Sequence, residues 1–133
     1  MISLKTAREL EQMRKACAIS AQALKLAGEQ VKAGMSTHEL DTIIREFIYS
    51  KGAKASFLGY GGFPGCACIS INDEVIHGIP SKKRIIQSGD IVKVDVGAYI
   101  DGYHGDNAAT FAVGDVSPEA KALMDVTEQS LYE

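Results

Sequence analysis

The chain has 133 residues, 46% of them apolar, and a formal net charge of −3. That length and apolar content suit one domain with a real core and exclude an intrinsically disordered chain. Acidic and basic residues are interleaved, which argues against a nucleic-acid surface or a polybasic membrane patch, and no apolar run approaches the ~20 residues of a membrane span. The opening MISLKTAREL lacks the apolar core of a secretion signal. Cys17, Cys66 and Cys68 are an odd set that cannot all pair within the chain, so a reducing cytosol is the expected compartment.

Thr6 and Glu9 have capping-box spacing and predict the start of a first helix. Its apolar stripe is expected at Leu10, Met13, Cys17, Ala21, Leu24 and Val31, with Gly34 as the stop. Ser36 and Glu39 repeat the capping signature. They open a second helix with a stripe of Leu40, Ile43, Ile44, Phe47 and Ile48, and Gly52 stands where a helix-ending glycine belongs. The short link predicts a helical hairpin. His38, in the first turn of the second helix, reads as a surface residue.

From Ala53 to Gly65 the composition changes. Phe57, Tyr60 and Phe63 are interleaved with Gly59, Gly61, Gly62 and Gly65, and Pro64 follows. Such a loop either brings backbone and rings close to a ligand in an apolar pocket, or is an irregular connector whose rings cap the core. The residues favour neither. A dinucleotide fingerprint is excluded, because no strand–GxGxxG–helix order is present. Cys66 to Ile71 reads as a strand. Cys66 and Cys68 read as small packing residues there, since no second Cys pair or nearby His completes a zinc set. Asn72-Asp73 marks a turn, and Val75 to His77 is expected to resume extended structure. His77 precedes Gly78-Ile79-Pro80. It is either an ordinary structural histidine or an imidazole on an exposed bend, free to meet a ligand near neutral pH. Ser81 to Ser88 reads as a polar connector with Lys82, Lys83 and Arg84 in solvent.

Val92, Val94, Val96, Ala98 and Ile100 then alternate with Ile91, Lys93, Asp95, Gly97 and Tyr99, the period of a strand with one apolar face. Asp101-Gly102 interrupts the run as a hairpin turn, and Tyr103 to Val113 is the expected returning strand. A turn centred there sets Asp95 opposite Ala108 and Gly97 opposite Asp106. Asp95 and Asp106 then share a face as diagonal neighbours, about 7 Å apart at the backbone. An odd loop length would put them on opposite faces. A shared proton, a cation or a metal would neutralise such a pair, unless both carboxylates are simply solvated on an open sheet. Ser117 and Pro118 open a third helix carrying Ala120, Leu123, Met124, Val126, Thr127 and Leu131, which runs to the end of the sequence.

Three strings carry a resemblance. They are Asn72-Asp73-Glu74-Val75-Ile76-His77-Gly78-Ile79-Pro80, Gly89-Asp90-Ile91-Val92-Lys93-Val94-Asp95-Val96, and Asp101-Gly102-Tyr103-His104-Gly105-Asp106. In this order and spacing they resemble type I methionine aminopeptidase, the bacterial cytosolic kind. The likeness covers essentially the whole chain but only about the N-terminal half of the family's catalytic domain. Prolidase and aminopeptidase P share the paired aspartates, while His77-Gly78-Ile79-Pro80 favours the methionine enzyme. The resemblance implies an α+β fold, the N-terminal half of a pita-bread architecture, with a helical hairpin plus antiparallel strands and residues 1–133 as one domain fragment. It implies cytoplasmic removal of the N-terminal methionine from nascent proteins, near the ribosome. Asp95 would be a bidentate ligand of one divalent metal ion and Asp106 would bridge two. Oxygen ligands suit Mn²⁺, Co²⁺ or Fe²⁺, with Zn²⁺ also compatible. His77 would hydrogen-bond the substrate beside the scissile amide and help stabilise the transition state. Phe57, Tyr60, Phe63 and Cys68 would line the methionine pocket, where an apolar, polarizable wall receives a thioether.

Many bacterial members have His where this chain has Gly61 and Tyr where it has Phe63, departures that touch the pocket and leave the metal ligands alone. The family's remaining ligands, one His and two Glu, belong to the second half of its domain. After Asp106 this chain has no His, and its glutamates there are Glu119, Glu128 and Glu133. The chain alone is therefore expected to hold an incomplete dimetal site. The alternative is a catalytically silent half-fold that binds a missing second half or self-associates. A plain α+β domain with a solvated aspartate pair is the third reading.

Overall fold

The computed structural model describes residues 2–133, and its first helix begins at the expected cap. The Thr6 hydroxyl accepts from the Glu9 amide and the Glu9 carboxylate accepts from the Thr6 amide, after which α1 runs Ala7–Gln30. Ser36 and Glu39 make the same reciprocal pair ahead of α2, Thr37–Ser50. Each box satisfies amides that no helical carbonyl can reach. Gly52, at φ +72°, takes the left-handed position after the C-cap Lys51 as expected. Gly34 does not stop α1. The helix ends at Gln30 on an extended Val31, and Gly34, at φ +90°, turns the link between the helices.

Four antiparallel strands follow: β1 Lys54–Ala55, β2 Ala67–Ile71, β3 Ile91–Ile100 and β4 Tyr103–Ala112. β3 is the spine. β4 pairs along one side, and β1 and β2 share the other, at Ala98–Tyr99 and at Val92–Val96. Asp101 and Gly102 between β3 and β4 both have positive φ, +53° and +88°, as a two-residue primed turn requires. The expected register results, with Asp95 opposite Ala108 and Gly97 opposite Asp106.

Val92, Val94, Val96 and Ala98 put one face of β3 into the core at 0% exposure. α1 covers β3 and β4, α2 covers β1 and β2, and the two helices pack on each other. Leu40, Ile44 and Ile48 bring α2 into the core, with Ile43 and Phe47 half-buried beside them. α1 is rotated from expectation. It buries Ala16, Ile19, Ser20, Ala23 and Ala27, while Leu10, Cys17 and Ala21 face outward and Leu24 and Val31 are only partly covered. Small side chains win because the helix lies almost on β4. A Cβ at Gly105 would sit 2.4 Å from the Ala16 carbonyl, a gap that admits no leucine or methionine on that line. The buried Ser20 hydroxyl donates to Asn107 Oδ1 at 2.5 Å, so the one polar residue in this stripe is satisfied. Tyr103 OH donates to Glu9, and Lys15 pairs with Asp101, fixing the start of α1 to the hairpin.

Two further expectations change. Val75 to His77 is not extended. It lies in a loop that returns over β2, where the Ile69 amide donates to the Gly78 carbonyl and the Gly78 amide donates to Ser70 Oγ. In the connector from Ser81 to Ser88, Lys82, Lys83 and Arg84 are exposed as expected, Arg84 pairing with Glu74, and Ile86 is buried. His38 is half-buried rather than a surface residue. α3, Pro118–Tyr132, starts at the expected Ser117 cap, and none of its residues is buried. The three helices and antiparallel sheet give the α+β class expected. Among the described residues no helix is long and apolar enough to cross a membrane.

Candidate functional site

The face of β3 turned away from the helices carries Lys93, Asp95, Gly97 and Tyr99. Residues opposed on a ladder share a face, so β4 adds Thr110, Ala108, Asp106 and His104, and β2 adds Ser70 and Cys68. Asp95 thus sits between Cys68 on β2 and Ala108 on β4, with Asp106 diagonal to it. The Asp95 carboxyl is pushed up to about 6, chiefly by burial and then by the neighbouring Asp106 carboxylate, through repulsion and a hydrogen bond that favours the protonated form. The positive form of His77 works in the opposite direction, so the imidazole lies within electrostatic reach of the pair. Asp95 Oδ1 is buried and has no hydrogen-bond partner. A buried carboxylate oxygen without a donor is an open ligand position, and two carboxylates are the donor chemistry hard divalent ions take. Asp95 and Asp106 therefore fit a metal as far as they go. Among the described residues no group of three or more His, Cys, Asp or Glu side chains is placed to hold one.

His77 owes its exposed position to backbone strain as well as sequence. It has φ +61°, uncommon for a residue with a Cβ. The following Gly78 lies so close to β2 that a Cβ there would be 2.1 Å from the Ile69 carbonyl oxygen. A glycine at 78 thus lets the loop lie directly on β2 with His77 exposed beside it, a constraint that alternation alone could not show.

The aromatic loop reaches the same face. A Cβ on Gly97 would lie 2.7 Å from Ser56 Cβ and 2.9 Å from Phe57 Cε1, so the Phe57 ring rests on the sheet over Gly97, the position opposite Asp106 and two along from Asp95. Phe63 is half-buried against Gly65, whereas Tyr60 is 82% exposed at the tip of a short 3₁₀ turn, Tyr60–Gly62. The Cys68 thiol is pushed up to about 11 by burial and by the negative charge of Asp95, Asp106 and Asp41. It stays a neutral, polarizable wall rather than a thiolate ligand. Cys66 is also buried and free, and Cys17 is exposed and free.

Sequence reading missed three contributors. Asp41 on α2 is buried, and its Oδ1 accepts from the amides of Cys66 at 2.8 Å and Ala67 at 2.9 Å, which fixes the start of β2. Burial raises its carboxyl while those two amides lower it. A lone Asp among the polar positions of a helix gives no warning of this. Ser56 Oγ and His104 Nδ1 are hydrogen-bonded at 2.9 Å, and His104 stacks on Tyr99 with centroids 4.6 Å apart. The hairpin register could have exposed His104, which it places on the aspartate face.

Residues 11–133 match metallopeptidase family M24. The methionine aminopeptidase of Clostridium acetobutylicum is 48% identical over 132 residues, covering 99% of this chain and 53% of that protein. Methionine aminopeptidase 1 of Bacillus subtilis is also 48% identical over 132 residues, with the same shares of the two chains. A crystal structure of methionine aminopeptidase from Rickettsia prowazekii superposes with a TM-score of 0.95 at 37% identity, covering 99% of this chain and 53% of that one. The chain spans about half the length of the curated relatives it matches.

Proposed function

This chain belongs to metallopeptidase family M24 and has the N-terminal half of its pita-bread fold, and from that premise we propose that it supplies half of a methionine aminopeptidase site. Its substrates are peptides and nascent chains with an N-terminal methionine, met in the cytoplasm near the ribosome. The observation that carries this reading is the Asp95–Asp106 pair on one sheet face, with Asp95 raised and one of its oxygens buried without a donor. Asp95 and Asp106 are the residues that would hold divalent metal, Mn²⁺, Co²⁺ or Fe²⁺ ahead of Zn²⁺. A pair of such ions lowers the pKa of bound water and polarises a scissile carbonyl. His77 projects beside the aspartates to hydrogen-bond the substrate near that amide. Phe57, Phe63 and Cys68 form the apolar wall for the methionine side chain, with Tyr60 lining its exposed rim.

Two carboxylates alone give a partial ligand set, so the chain is a binding half that needs a second half for turnover. The exposed α3 supports that reading, with Leu123 62% and Leu131 78% exposed. The test is methionine release from a Met-Ala-Ser peptide in Mn²⁺ buffer. The pure chain should release none above the protein-free blank. Sustained turnover that disappears with Asp106→Asn would contradict the partial-site reading and show a complete enzyme instead.

A further inference from the structure

We propose that His104 is a positioning residue. Through Ser56 it latches the aromatic loop onto the aspartate face and so holds Phe57 where a methionine side chain would bind. The proposal rests on the reading of that face as the substrate site, and it adds a role for a histidine that holds no metal.

Three observations converge. Segment 56–63 leaves the sheet at Ser56, whose amide donates to the Gly97 carbonyl at 3.0 Å. Beyond that point its backbone hydrogen bonds close on itself, Gly59 to Phe63, Tyr60 to Phe57 and Phe63 to Tyr60. Gly59, Gly61 and Gly62 all have positive φ, the backbone that lets the segment fold on itself rather than onto the sheet. Among the described residues, the Ser56–His104 pair is the one side-chain hydrogen bond joining this segment to the sheet. His104 is itself held, since its ring stacks on Tyr99, its direct partner across the ladder. Gly97 completes the arrangement. With no Cβ there, Ser56 and Phe57 settle directly on β3, at the position opposite Asp106 and two along from Asp95. The latch is thus anchored on β4 two residues from Asp106, and it orients the pocket wall and the metal-binding carboxylates with respect to each other.

Amide hydrogen exchange on the metal-free chain tests the latch without any need for activity. His104→Ala and Ser56→Ala should each speed exchange at the Tyr60, Gly62 and Phe63 amides about fivefold or more, as loss of one net hydrogen bond allows. β2, β3 and α2 should be unchanged. The double variant should be no faster than either single, because both remove the same bond. His104→Asn, whose side-chain amide can take the place of Nδ1, should restore slow exchange. On the Mn²⁺-loaded chain, the alanine variants should bind L-methioninamide about fivefold more weakly, with Mn²⁺ affinity changed less than twofold. Additive effects in the double variant, exchange that rises equally across the sheet, or unchanged loop exchange would each overturn the latch. Unchanged methioninamide affinity in the presence of faster loop exchange would overturn its role in substrate positioning. If the parent chain takes up no Mn²⁺, the reading of the site falls, while the exchange data still decide the latch.

Discussion

At the scale of single residues, the fold holds two acids whose carboxyls are raised by burial, Asp95 and Asp41, and two lowered ones that work for it, Glu9 and Glu39. The Asp95 carboxyl is raised to about 6 from 3.8, chiefly by burial and then by Asp106. A raised acid contributes stability that is complete below the unfolded value and lost as pH rises through the folded one. The metal-free chain is therefore weakened near neutral pH, by on the order of 1 kcal/mol after solvent screening. Glu9 and Glu39 have the opposite sign. Both are lowered from 4.5 by hydrogen bonds from the backbone and hydroxyl of Thr6 and Ser36, so their stabilisation is present above that value and lost as pH falls through the lowered one. Thermal melts in chelator should show Asp95→Asn raising Tm by roughly 3–5 °C at pH 7 and leaving it unchanged at pH 3.5. Melts of the parent should also drop steeply below about pH 4 as the two capping boxes protonate. An Asp95→Asn variant less stable than the parent at pH 7 would show that burial and repulsion do not govern this carboxyl.

At the scale of elements, local signals and close packing divide the outcome between them. Both capping boxes, the Gly52 terminus, the primed Asp101-Gly102 turn and the register of β3 on β4 were legible in the sequence, because each depends on residues within a few positions of one another. The buried face of α1 was not. Leu10 and Met13 outrank Ala16 and Ala23 on any apolar scale, yet the distance between α1 and β4 selects the small residues. That distance is set by Gly105 on a strand far away in sequence. Gly105→Ala should therefore force α1 off β4 and destabilise the chain by at least about 2 kcal/mol in urea denaturation. A loss within 0.5 kcal/mol would mean the helix shifts freely and the small-residue stripe is incidental. The loop bearing His77 was hidden for the same kind of reason. Its left-handed backbone follows from the approach of Gly78 to β2, a tertiary contact no periodicity encodes.

At the scale of the whole molecule, the chain is a finished helix-on-sheet layer with an open second face. Its core is closed by β3, α1 and α2, while the opposite face is covered only in part by Ser56 and Phe57, leaving Asp106 and His104 exposed, and α3 buries no residue. The candidate metal pair was legible because an even two-residue turn translates sequence spacing directly into a shared face. The latch and the Asp41 clamp were not, since each joins residues far apart in sequence through side-chain hydrogen bonds. Calorimetric titration with Mn²⁺, comparing the chain with Asp95→Asn and Asp106→Asn, tests the central claim most directly. Saturable binding by the parent, abolished by Asp95→Asn and weakened at least about tenfold by Asp106→Asn, is the predicted result. Equal heats from all three proteins would contradict a metal-binding role for this pair.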